Sequence, residues 1–164
     1  MQPRMELGVE SAAYRAMSQL ERYVRSSGIN PTLLELIKIR ASQINGCAFC
    51  IDMHTKDARL NGETEQRIYA LSAWRETPFF TPKEQSVLAL TEAVTLIATN
   101  SVSNEIYDEV SRYFTPDEIA NLLVAIVTIN SWNRIAITTR MVPGSYQPEP
   151  LASQGISKTL SLTE

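Results

Sequence analysis

Cys47, Cys50 and His54 are the only two cysteines and the only histidine in this chain of 164 residues. All three fall within residues 45–62, which read NGCAFCIDMHTKDARLNG. On a helix starting near Gly46 and stopping at Asn61-Gly62 they occupy positions i, i+3 and i+7. At about 100° per residue they share roughly 60° of arc, beside Ala48, Ile51 and Ala58. The Asn45-Gly46 break puts both sulfurs in the first helical turn. Unpaired N–H groups and the positive end of the helix dipole favour a thiolate there. Helical residues three apart have Cα atoms about 5 Å apart, within the ~4.4–6.8 Å that a disulfide tolerates. So small a ring stabilises a fold little and gives a readily reduced bond, which suits a pair that cycles.

The histidine supplies what the thiols lack. Lowering a thiol pKa from about 8.5 to about 7 raises the thiolate fraction roughly fifteen-fold, but the accompanying loss of nucleophilicity leaves only about three-fold. A positioned acid that protonates a departing oxygen contributes about 10²–10⁴-fold, and imidazole is the side chain suited to that near neutral pH. Other readings of the cluster remain. The thiols can be small core residues and His54 a hydrogen-bonded structural histidine. Zinc can sit on Cys47, Cys50 and His54 with a carboxylate, although the second Cys/His pair of structural zinc modules is missing. The disulfide can also act as a redox sensor or assembly scaffold without turnover. A thioredoxin fold needs βαβ units, which this sequence does not show.

The elements that must position these residues read as helices. Asn30-Pro31, Thr81-Pro82 with Glu84, and Thr115-Pro116 with Glu118 are helix starts, the last two with capping-box spacing. Ser27-Gly28, Asn61-Gly62 and Pro143-Gly144 read as stops. Tyr14, Met17, Leu20 and Val24 form one stripe, Ile68, Leu71 and Ala73-Trp74 a shorter helix, and Leu88 to Ala98 a longer one. Residues 119–129, IANLLVAIVTI, are apolar nearly all round and suit the centre of a bundle or a subunit contact. No alternating segment is bounded by hairpin turns. The expectation is an all-α single domain of seven or eight helices over residues 1–142, with the CxxC pair opening a central helix. Residues 143–164 form a proline-containing tail, loose or laid as an arm across a neighbouring subunit.

Composition narrows the function classes. A net charge of -3 with scattered Lys and Arg gives no nucleic-acid footprint. No apolar run reaches the ~20 residues of a membrane span, and the amino terminus lacks an apolar signal segment. A cytoplasmic, reducing setting is therefore expected, where two cysteines are more often redox-active or metal-binding than a permanent staple.

Residues 35–59, ELIKIRASQINGCAFCIDMHTKDAR, resemble the core motif of the AhpD-like alkylhydroperoxidases of the carboxymuconolactone decarboxylase superfamily. That motif is a glutamate, eleven residues, CxxC, three residues and a histidine, and it is met by Glu35, Cys47, Cys50 and His54. The likeness extends over residues 30–140. It implies a helical subunit assembled into trimers or hexamers, and peroxidase chemistry without haem, flavin or metal. By the resemblance, Cys50 is the peroxidatic thiolate, Cys47 resolves its sulfenic acid as the disulfide, and His54 with Glu35 relays protons. An external dithiol, lipoyl-type or thioredoxin-like, then restores the pair. Phe49 stands where well-characterised peroxidase members carry a further relay histidine, and the decarboxylases themselves lack the CxxC. From the residues alone Glu35 shares a polar side with Lys38 and Ser42, as a solvated ion pair. The resemblance instead favours a partly buried carboxylate with a raised pKa. Trp132 and Arg134, in INSWNR, are expected to pack within the subunit or anchor a subunit contact.

Overall fold

The computed structural model describes residues 2–5, 8 and 11–148. These form seven α-helices and one 3₁₀ segment, with no strand among the described residues. The helices are α1 (Ala12–Ser26), α2 (Pro31–Asn45), α3 (Ala48–Leu60), α4 (Glu65–Ala70), α5 (Pro82–Thr95), α6 (Asn104–Ser111) and α7 (Pro116–Thr139). The all-α expectation holds, with the CxxC pair at the start of α3.

The three predicted starts are helix N-termini. Asn30 accepts from the backbone N–H of Leu33, and Thr81 and Thr115 each form a complete capping box with Glu84 and Glu118. A side-chain oxygen supplies the acceptor that the first turn lacks, and proline there gives up no needed hydrogen bond. Three boundaries outside α3 differ from the sequence reading. The helix expected around Ile68–Trp74 is α4 followed by a separate 3₁₀ turn, Leu71–Glu76, because Ala73 leaves helical geometry (φ -120°, ψ 31°). Helix α5 ends at Thr95, so Leu96 to Ala98 lie beyond it and are exposed. Helix α7 stops before Pro143-Gly144, at Arg140, whose left-handed φ of 59° turns its N–H and that of Met141 back onto Ile137 and Ala136.

Helix α2 is the axis. It packs against α3, α5 and α7, and nine of its residues are buried. On one side Leu33 and Ile37 join Val87, Leu90, Val110, Ile119, Leu122 and Ile126 in the largest apolar cluster. On another, Leu36 and Ile39 meet Ala58, Ile68, Leu71, Trp74, Phe80 and Leu88. A helix enclosed this way has no solvent face, and its polar residues must be satisfied inside. Among the described residues, helix α7 is the one long and apolar enough, by length and composition, to cross a membrane. Its 24 residues reach a mean hydropathy of 1.2 over an 18-residue window. Half of that window is buried in the bundle, where Thr128, Asn130 and Asn133 are enclosed.

The end of α2 is pinned by a polar network. Asn45 donates to Asn130 and Asn133 (both 2.9 Å), Asn133 to Ser42 (3.0 Å), and Asn130 to Thr95 (3.0 Å). These amides fix where α2 turns through Gly46, in the left-handed region at φ 70°, into Cys47.

Candidate active site

Cys47 is the N-cap of α3 rather than a residue of its first turn, and Cys50 is the third helical residue. The helix thus begins at Ala48, later than the start near Gly46 read from the sequence. The Cys47 sulfur accepts the Cys50 backbone N–H at 3.4 Å, in the place usually taken by a Ser or Thr oxygen. The two cysteines form a disulfide with Cα atoms 5.4 Å apart. They sit in an apolar cluster with Ala41, Ile129 and Ala136, against which Phe49, Trp132 and Met141 pack.

One turn beyond Cys50, His54 points into the bundle and is 3% exposed. Its Nδ1 lies 2.8 Å from Oε2 of Glu35 on α2. Glu35 is 6% exposed, so the polar side of α2 is an interior seam and the ion pair with Lys38 is enclosed rather than solvated. Lys38, 1% exposed, lies 3.8 Å from Glu35 and 2.5 Å from Glu21 of α1, which also meets Arg25 at 3.2 Å. The carboxyl of Glu35 departs from the expected direction. Burial pushes it up, but His54, its hydrogen bond and Lys38 outweigh burial and hold it below the ordinary glutamate value. Glu35 is thereby a carboxylate at neutral pH, suited to orienting His54 and stabilising a charged ring.

The structure therefore pairs Glu35 with His54 across α2 and α3, and Cys47 with Cys50 at the start of α3, one turn from His54. It adds residues the sequence reading missed. Asp57 lies one turn beyond His54, and its carboxylate, the His54 ring and the Glu35 carboxylate hold atoms all within 4.8 Å of one another. The arithmetic that grouped His54 with the cysteines extends to i+10, so Asp57 was within its reach. Tyr146 donates to Asp57 at 2.7 Å, a contact for which the sequence carries no signal. Both sulfurs are committed to the disulfide, so in this state neither is a thiolate ligand for the zinc arrangement read from the sequence. Trp132 packs edge-on against Tyr14 (centroids 5.8 Å apart), and Arg134 donates to the Asn130 carbonyl at 2.8 Å, so both have partners within the subunit.

An open cavity of about 640 Å³ adjoins the disulfide. Cys47 and Phe49 line it with Ala136, Ile137, Met141 and Val142, and Arg4 and Arg140 contribute charge. Phe49 thus contributes an apolar wall where the motif's further histidine would place a proton carrier.

Residues 11–93 match the model of the carboxymuconolactone decarboxylase family. The uncharacterised YdfG of Bacillus subtilis is 52% identical over 123 residues, covering 75% of this chain and 84% of its own. A protein of unknown function from Agrobacterium tumefaciens, suggested to be the antioxidant defence protein AhpD, superposes with a TM-score of 0.85 at 41% identity. That match covers 88% of this chain and all of the other. The debrominase Bmp8, in complex with 2,3,4-tribromopyrrole, shares the fold alone, at 18% identity and a TM-score of 0.72 over 80% of this chain and 71% of its own.

Proposed function

The chain belongs to the carboxymuconolactone decarboxylase family, among its AhpD-like members, and from that premise we propose that it is a thiol peroxidase that reduces organic hydroperoxides at the expense of an external dithiol. One observation carries the reading: a cysteine disulfide at a helix start, one turn from a buried imidazole already held by a carboxylate.

In the peroxidatic step the Cys50 thiolate attacks the terminal oxygen of ROOH. The O–O bond breaks, Cys50 becomes a sulfenic acid, and His54 gives the departing alkoxide a proton, so that ROH leaves. The Cys47 thiol then attacks the sulfenic sulfur, forming the disulfide and releasing water. A dithiol donor returns two electrons and two protons, leaving both cysteines as thiols and the donor as a disulfide. Glu35, held as a carboxylate, fixes the His54 ring and balances its charge in each proton transfer. No metal or prosthetic group enters these steps.

The cavity supports an organic substrate, since its walls near Cys47 are apolar and Phe49 closes one side. Cys47 is the cysteine among its lining residues, so the donor attacks there and frees Cys50 as a thiolate beside His54. The donor belongs to the lipoyl-type or thioredoxin-like class in a reducing cytoplasm. Assembly into a trimer or hexamer is part of the same proposal, and the exposed Val127 and Ile137 on α7 support it.

Consumption of cumene hydroperoxide and hydrogen peroxide with a panel of dithiols tests this. Wild type turns over, Cys50→Ser is inert, and Cys47→Ser stalls as a Cys50 sulfenic acid trapped by dimedone. A wild type inert with every peroxide and donor defeats the proposal. Stoichiometric zinc that protects both thiols of the reduced protein would favour the metal reading instead.

A further inference from the structure

The buried Glu35–His54 pair has a structural problem that the reaction does not remove. When a dithiol attacks Cys47 from the cavity, Cys50 leaves as a thiolate, and the proton that makes it a thiol must reach a sulfur that is 2% exposed and does not line that cavity. Glu35 and His54 are enclosed as well. A relay closed at both ends cannot exchange protons with solvent.

Asp57 opens it. Its carboxylate lies within 4.8 Å of the Glu35 carboxylate and the His54 ring, yet unlike them the residue is only partly buried. A strap of chain after α7 holds it. The Gly144 N–H donates to Asp52 at 3.0 Å, Lys56 bonds that carboxylate at 2.9 Å and the Tyr146 carbonyl at 3.0 Å, and the Tyr146 hydroxyl donates to Asp57 at 2.7 Å. This part of the tail therefore lies along α3 of its own subunit. The remainder of the expected tail or arm, from residue 149, lies outside the described residues.

We propose that Asp57 is the solvent end of the proton relay, passing protons between water and the His54–Glu35 pair, and that Tyr146 is the positioning residue that aims it. The inference rests on the thiol-redox reading of Cys47 and Cys50. The step it serves is balanced. The donor dithiol becomes a disulfide and loses two electrons and two protons, one proton to Cys47 at the cavity and one to bulk water. The Cys47–Cys50 bond breaks, and Cys50 gains a proton arriving from water through Asp57 and His54. The charged and titratable groups that act on Asp57 are Glu35 from α2, His54 from α3, Arg25 from α1, and the Tyr146 phenol. Burial, followed by the repulsion of Glu35, pushes the Asp57 carboxyl above the ordinary aspartate value despite the hydrogen bond from Tyr146. That moves it toward the pH at which a shuttle exchanges protons most readily.

The test is the rate at which excess dithiothreitol reduces the disulfide of the full chain. It is followed by quenched alkylation from acidic to alkaline pH and expressed as variant over wild type, so that the donor's own ionisation cancels. Asp57→Asn slows reduction ~10-fold on the acid side, where Asp57 carries the proton it donates, and the deficit closes as pH rises and wild-type Asp57 has none to give. Tyr146→Phe keeps the ring but removes the bond that stabilises the carboxylate, so the alkaline fall in rate moves to higher pH. A brace without a proton role gives ratios independent of pH, and flat ratios in both variants overturn the proposal. Because the readout is disulfide reduction, a wild type inert toward hydroperoxides would defeat the peroxidase reading and leave this measurement intact.

Discussion

Helix α2 buries two unlike regions, and their difference separates stability from chemistry. On one side Leu33 and Ile37 contribute to an apolar cluster with α5, α6 and α7 in which no polar group needs a partner. On the other, Glu35, Lys38 and Ser42 form a seam where each polar group meets a specific partner, namely His54, Glu21 and Asn133. The apolar side is held by area and shape, so its residues are interchangeable with others of like volume. The seam is held by pairing, so any member removed leaves a buried charge or dipole uncompensated.

The largest expected effect breaks the seam. Glu35→Gln keeps the side chain's shape but removes the charge that holds His54, and kcat/KM for peroxide consumption falls by about 10²-fold or more, or at least ~2.7 kcal/mol of barrier. Its cost in stability is smaller, about 1–3 kcal/mol by urea unfolding, because Lys38 keeps Glu21 at 2.5 Å. Leu122→Ala inverts that ratio. It empties a fully buried position and costs about 2–5 kcal/mol of stability, while activity per folded molecule is unchanged. Equal losses of activity in the two variants would erase the distinction between the regions.

The smallest effect is in acid. The Glu35 carboxyl is held below its ordinary value of 4.5 in the folded protein, so the folded state binds fewer protons there than the unfolded chain. The stability it contributes is complete above pH 4.5 and is lost as pH falls through the lowered folded value. Wild type should therefore lose stability below that pH more steeply than Glu35→Gln in parallel urea titrations. Identical slopes would mean that the carboxylate is not selectively stabilised in the fold.

The legible parts of the sequence were those with local causes. Thr81-Pro82-Glu84 and Thr115-Pro116-Glu118 mark helix starts because the capping interactions span three residues and need nothing distant. The clustering of Cys47, Cys50 and His54 on α3 followed from helical period alone. Glu35 was legible as a motif position, but its burial and the direction of its charge preference were not, since both depend on α1 and α3 closing over α2. The break at Ala73 and the end of α5 at Thr95 also escaped, because apolar spacing continues past the point where packing stops rewarding helix.

By itself the sequence determined the helical class, the main helix starts and a cysteine pair with an imidazole one turn away, because each is fixed by interactions within a few residues. Only the tertiary structure decided that α2's polar side faces inward, that Asn45, Asn130 and Asn133 pin the turn into Cys47, and that Tyr146 reaches Asp57 from 89 residues downstream. Those contacts join positions far apart in the chain, and their partners are selected by which helices enclose one another, a relation that no local spacing records.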